Sequence, residues 1–146
     1  MAHFQKSITI DAPVHQVFEY WKNPGNWPEV WPSMIEINDL KLTPNGVGTS
    51  ENWVYKMAGK RFRGHGEFID CVPDRRIATK DSGDIESSFI WTFEPEGSGT
   101  KMMVDAEYTV PIPLLGKLVE PFVLKMNEHE ADVTLANLKA RMEHRL

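Results

Sequence analysis

The sequence is short of the features that most readily reveal a function. One cysteine, Cys71, in 146 residues excludes an intrachain disulfide and points to a reducing compartment. The histidines are scattered at positions 3, 15, 65, 129 and 144, with no H-x-x-x-H, C-x-x-C or carboxylate cluster at ligand spacing, so no metal is expected. Gly46-Val47-Gly48 precedes a strand pattern instead of a helix, which makes it a turn and not a dinucleotide loop. No cofactor is therefore expected. Positive charge is in deficit: 16 Lys and Arg stand against 21 Asp and Glu, a formal charge of −5. Nucleic acid and anionic membrane surfaces both need a basic face, so neither is an expected partner. Long apolar runs are missing as well. The N-terminus enters an alternating pattern directly, without the apolar core of a signal peptide. The most apolar stretch, Val110 to Leu124, is broken by Pro111, Pro113 and Pro121 and carries Lys117 and Glu120, so no integral membrane segment is expected. These exclusions suggest a cytoplasmic protein. With no internal repeat, low-complexity tract or linker, residues 1–146 are expected to form a single domain.

What is present is an ordinary globular composition, 41% hydrophobic and 25% charged, with five tryptophans. The last third is helical in pattern. Apolar or neutral side chains recur at Leu115, Leu118, Phe122, Met126, His129, Val133, Ala136 and Ala140, in steps of three or four. They predict one stripe down a helix of roughly thirty residues, about 45 Å long. A helix that long cannot hide an apolar face alone and must lie against something broad.

The preceding hundred residues supply it. Phe4, Lys6, Ile8 and Ile10 alternate with polar neighbours as in a strand with one wet face. Asp11-Ala12-Pro13 signals a helix start, Val14, Val17, Phe18 and Trp21 follow at helical spacing, and Asn23-Pro24-Gly25 stops it. Asn26 is placed to cap a second short helical turn, Trp27 to Trp31. From Met34 the pattern is of strands: Met34–Leu42, a strand opened by Gly48, Arg61–Val72, Arg75–Lys80, Ile85–Glu94 and Thr100–Val110, separated by Gly-, Pro-, Asn- and Asp-rich turns. Glu51, Trp53, Tyr55 and Met57 share one face of the second of these; Phe89, Trp91 and Phe93 line up in another. Hairpin-sized turns imply an antiparallel meander, seven strands with the first.

Several motifs in that order carry a resemblance. They are Ser7-Ile-Thr-Ile-Asp-Ala-Pro-Val with Val17-Phe18 and Trp27-Pro28, then Gly46-Val-Gly-Thr49 and Val72-Pro-Asp-Arg-Arg-Ile77. Phe93-Glu-Pro95 with Gly99-Thr100-Lys101, and Glu130, Leu135 and Leu138-Lys139 near the end, complete the set. Over essentially its whole length the chain resembles the START-like, helix-grip superfamily, which includes polyketide cyclases and dehydratases, plant pathogenesis-related allergens and lipid-transfer domains. The resemblance implies an α+β helix-grip fold: a seven-stranded curved antiparallel sheet (β-α-α-β6-α) wrapped around one long C-terminal helix. It also implies an apolar cavity between sheet and helix, opening beside the two short helices. Mapped onto this chain, Trp27, Trp31, Trp53, Tyr55, Phe89, Trp91, Tyr108, Met126, His129 and Val133 are expected to face that cavity. Aromatic walls with few charges favour a small hydrophobic or aromatic ligand, lipid- or polyketide-like. An alternative is a cyclase or dehydratase in which His129, with Tyr55 or Tyr108, moves protons. A third reading is a protein–protein module with a packed cavity.

Other residues give less. His65, between Gly64 and Gly66, falls on the exposed face by alternation, and the glycines mark a bulge or a close approach of neighbours. Cys71 lacks a paired histidine and reads as a passive thiol. Glu128, Glu130 and Asp132 read as the solvated face of the long helix. Pro121 is expected to kink or break that helix, leaving Leu114–Leu124 as a short apolar segment before a main helix that begins near Lys125. That segment suits either a gate to the cavity or a surface where a second copy would form a homodimer.

Overall fold

A computed structural model describes residues 1–111, 118 and 120–144. Seven strands form one antiparallel sheet: β1 (Ala2–Ile10), β2 (Met34–Lys41), β3 (Ser50–Met57), β4 (Lys60–Val72), β5 (Arg76–Gly83), β6 (Ser87–Glu96) and β7 (Gly99–Tyr108). Their order across the sheet is β1-β7-β6-β5-β4-β3-β2, so every neighbour but one is also the next strand in sequence. The exception pairs β1 with β7, from Ala2 opposite Tyr108 to Ile10 opposite Thr100. Turn chemistry sets the meander. Between β3 and β4, Ala58 and Gly59 both have positive φ, 51° and 78°, the geometry that lets a two-residue loop follow the strand twist.

Between β1 and β2 the chain forms α1 (Val14–Lys22), a single 3-10 turn over Pro24–Asn26, and α2 (Trp27–Val30). Pro13 occupies the position before α1, with φ −59° and ψ 143°, and its carbonyl accepts from the N–H groups of Gln16 and Val17. No side chain caps this helix. Asn23 instead caps the 3-10 turn by accepting from Gly25 N–H at 2.9 Å. Asn26, expected as a cap, turns its amide the other way and donates to the Tyr20 carbonyl at 2.9 Å, so its side chain holds α1 to the turn. Val17, Phe18, Tyr20 and Trp21 are the buried face of α1.

The long helix, α3 (Glu120–Glu143), packs on β1 and α2. Hydrogen bonds tie it down along its length, among them Ser33 N–H to Glu130 Oε1 (2.7 Å), Asn137 Nδ2 to the Val30 carbonyl (3.0 Å), Lys139 Nζ to the Thr9 carbonyl (2.8 Å) and Asp11 N–H to Glu143 Oε2 (2.8 Å). Two expectations are corrected here. Pro121 neither kinks nor breaks the helix; it sits in the first turn, where its missing N–H would have had no intrahelical partner. The inward face is also rotated by about one residue. Val123, Thr134, Leu135, Leu138 and Met142 are buried, while Phe122, His129, Ala136 and Ala140 are exposed and Met126 and Val133 only half-buried. One residue is 100° of helix, and three of the inward positions (Asn127, Glu130 and Thr134) are polar, so an apolar stripe points the wrong way. Of the expected gate or homodimer segment, Leu114–Leu124, positions 114–117 and 119 lie outside the described residues; among the rest Leu118 is 99% and Phe122 65% exposed, while Val123 is buried. No helix among the described residues is long and apolar enough to cross a membrane.

Candidate functional site

Period-two alternation puts every second side chain of β3, β6 and β7 on the concave face of the sheet, and several of those side chains are aromatic. Trp53 and Tyr55 from β3, Phe89 and Trp91 from β6, Tyr108 from β7 and Phe4 from β1 converge there. Trp31, just after α2, closes the near end, and Asn127, Glu130, Ala131, Thr134 and Leu135 of α3 form the opposite wall. They enclose a cavity of about 80 Å³. That is room for a compact group of several heavy atoms, so a longer ligand would have to reach outward. Phe4, Tyr55, Phe89, Asn127 and Glu130 are partly exposed, which marks the open side.

The rings hold one another in fixed orientations. Phe89 and Trp91 lie parallel, at 4° with centroids 5.5 Å apart. Trp31 stands nearly at right angles to Phe89 (74°), to Trp91 (75°) and to Tyr55 (80°), all within 6.1 Å. Such edge-to-face packing is favourable in itself and makes walls that meet at corners. Behind them Trp21 packs on Trp91 at 4.7 Å, and Trp27 stacks on Phe68 and donates to the Trp21 carbonyl at 2.9 Å. Of the residues expected at the cavity, Trp31, Trp53, Tyr55, Phe89, Trp91 and Tyr108 line it. Trp27, Met126, His129 and Val133 do not: Trp27 is buried in the layer behind Trp31, and the other three lie on the turned-away face of α3. With His129 exposed, the enzyme reading built on its imidazole loses its base. Glu130 is corrected in the opposite sense: it lines the cavity and is not part of a solvated acidic face.

The polar atoms of the cavity are few and mostly committed. The Tyr55 phenol oxygen is hydrogen-bonded by the Trp31 and Ser33 side chains; burial, then the charge of Glu130, raises its pKa well above the ordinary tyrosine value despite those bonds. Burial also raises Tyr108, against a hydrogen bond from the Asn127 side chain. The Thr134 hydroxyl donates to the Glu130 carbonyl at 2.8 Å. No lysine, arginine or histidine is among the described lining residues.

Behind the wall at β3–β5 is a pair of buried acids that no motif announces. Glu51 lies opposite Gly66 in the β3–β4 ladder, and Gly66 lies opposite Asp81 in the β4–β5 ladder. Glu51 is 1% and Asp81 8% exposed. A Cβ on Gly66 would stand 2.4 Å from Glu51 Oε1 and 2.4 Å from Asp81 Oδ1, so the two carboxyls meet over the glycine, within twice that distance of each other. Asp81 accepts from Trp53 Nε1 (3.2 Å) and Ser87 Oγ (3.0 Å), both from residues of the cavity wall. Glu51 Oε2 has no partner. Burial and then the neighbouring Asp81 push the Glu51 carboxyl from 4.5 up to about 8; burial raises Asp81 to about 6, against the Ser87 and Trp53 hydrogen bonds. At neutral pH Glu51 therefore holds a proton and Asp81 is mostly charged. Only strand register brings these residues together, and the one sequence signal was the pair of glycines. Gly64 works in the same way: the Trp53 ring lies over it, with Cζ2 2.1 Å from where a Cβ would be.

Outside the cavity, His65 is exposed and its Nδ1 pairs with Asn52 Oδ1 at 2.8 Å, a surface contact between strands. Burial raises the pKa of the Cys71 thiol, which suits its passive reading. Among the described residues no group of three or more His, Cys, Asp or Glu is placed to hold a metal ion.

Comparison with known proteins gives a consistent result. The family described as polyketide cyclase / dehydrase and lipid transport matches residues 1–143. Among solved structures, a Thermus thermophilus protein superposes with a TM-score of 0.79 at 23% identity over 97% of each chain. A START superfamily protein from Mycobacterium smegmatis gives 0.79 at 17% over 99% of each. The di-domain ARO/CYC StfQ of steffimycin biosynthesis gives 0.77 at 18%, with 98% of this chain matching 51% of that one. These likenesses show the helix-grip fold. Among curated proteins, none matches the chain.

Proposed function

We propose that this chain, which belongs to the polyketide cyclase / dehydrase and lipid transport family, binds a small hydrophobic or ring-bearing ligand in the cavity between sheet and α3. The observation that carries this reading is the cavity itself: aromatic walls meeting at right angles around open volume, with few polar atoms and an open side. A core that served packing alone would close that volume, since interiors fill to crystal-like density. Trp31, Trp53, Tyr55, Phe89, Trp91 and Tyr108 are the residues that would hold the ligand. The cyclase-type alternative has less support here, because its histidine faces solvent.

The test is native mass spectrometry of the purified chain followed by denaturing extraction of whatever it carries. A co-purified lipid or aromatic metabolite supports the reading, and Trp31→Ala would then weaken its binding at least about tenfold if Trp31 is a wall of the site. A clean apo mass that no hydrophobic probe shifts would overturn it.

A further inference from the structure

We propose that the cavity selects for positive charge, taking a tertiary or quaternary ammonium group carried on an apolar body. This rests on the ligand-binding reading above and specifies its chemistry. Three separate features of the cavity point the same way.

The first is the arrangement of rings. Aromatic faces carry negative quadrupole density, and a cation placed against several of them at once is attracted by each, most strongly where water is excluded. Trp31 stands at 74°, 75° and 80° to Phe89, Trp91 and Tyr55, so the rings form adjoining walls of a box instead of one flat stack. A cavity of about 80 Å³ suits a compact head group better than an acyl chain, with the apolar body leaving on the side of Phe4 and Phe89.

The second is charge. Glu130 is the one formally charged residue among the described lining residues, and it is an anion. Its Oε1 takes the Ser33 N–H at 2.7 Å, a neutral donor that orients the carboxylate without cancelling its charge. An anionic ligand would meet this group unpaired inside a partly desolvated site, at a severe cost.

The third lies behind the wall. Asp81 accepts the Trp53 indole N–H and the Ser87 hydroxyl. A carboxylate bonded to the indole N–H pushes electron density toward the ring, which makes the Trp53 face a better partner for a cation. With its proton committed to Asp81, the Ser87 oxygen can offer the cavity only lone pairs. Charge and dipole at this end of the cavity are thus aligned for a positive guest.

The experiment uses the full chain and three benzyl probes: benzyltrimethylammonium, its uncharged carbon isostere neopentylbenzene, and the anion phenylacetate. Binding is followed by tryptophan fluorescence and calorimetry. The expected order is ammonium over isostere by at least about tenfold, with phenylacetate weakest. Glu130→Gln, which keeps the acceptor for Ser33, is expected to shrink the ammonium-to-isostere ratio several-fold. Equal affinity for ammonium and isostere, or tighter binding of phenylacetate, would overturn the charge selection and leave the ligand-binding reading intact. Failure of all three probes to bind would overturn both.

Discussion

Replacing Glu51 by glutamine should make this protein more stable, and the gain should depend on pH in a way fixed by the buried acid pair. Glu51 is 1% exposed, with one oxygen toward Asp81 and the other unpartnered. Its carboxyl stays protonated in the folded chain up to about 8, against 4.5 when solvated. Below pH 4.5 both folded and unfolded states hold the proton, and the group makes no pH-dependent contribution. Between 4.5 and about 8 the unfolded chain releases a proton that the folded one keeps, so stability falls as pH rises, by about 1.4 kcal/mol per unit where one proton separates the states. Over the window that loss is under about 1 kcal/mol at pH 5 and on the order of 4 kcal/mol at pH 8. The amide of Glu51→Gln cannot ionise, so the variant loses this proton linkage. Urea unfolding of both proteins at half-unit steps from pH 4.5 to 8.5 reads the difference directly. The two stabilities should diverge steadily in the variant's favour, by roughly 3 kcal/mol between pH 5 and pH 8. Parallel curves over that range would mean that Glu51 is not held protonated in the fold, and the argument from its burial would be wrong.

Three further outcomes are expected. Gly64→Ala puts a methyl 2.1 Å from the Trp53 ring and 2.5 Å from the Ser82 carbonyl, so it should cost about 1–3 kcal/mol in urea unfolding and shift the tryptophan emission as the ring moves. Asn137→Ala removes the donor to the Val30 carbonyl and should destabilise by about 1 kcal/mol, since that bond joins α3 to α2. His129→Ala changes a residue exposed on the outer face of α3, so thermal unfolding should show a change within about 0.5 kcal/mol, and probe affinity by fluorescence should stay within twofold.

The sheet was legible in the sequence because alternation and turn residues are local signals. Glu51, Trp53, Tyr55 and Met57 share a face by counting alone, and Ala58-Gly59 announces its own hairpin. The phase of α3 was not legible, because an apolar stripe is a sound guide only when the face toward the core is apolar. Here that face borders a cavity and carries Asn127, Glu130 and Thr134, while the rotated stripe picks out Phe122, Met126 and His129. The acid pair was hidden for a different reason. Glu51 and Asp81 belong to different strands and meet only because both register with Gly66, and register is a property of the folded sheet. Trp27 illustrates a third limit: an aromatic residue beside a cavity and one directly behind it have the same composition and nearly the same spacing.

The two glycines of β4 also bear on how such a cavity could change over time. Where β4 offers no side chain, Trp53 leans in from β3, and Glu51 and Asp81 meet from both sides. At these two positions β4 is thus a vacant seat already taken by its neighbours, and a larger residue there has nowhere to go. Variation in what this wall accepts would have to come from β3, β5 or β6 in concert, because the shape is jointly owned. A substitution at Trp53 would free the space under its ring, but β4 would stay bare there, because the Ser82 carbonyl stands 2.5 Å from where a Cβ on Gly64 would be. A lineage retunes its guest through the strands that flank β4, while β4 itself keeps its glycines.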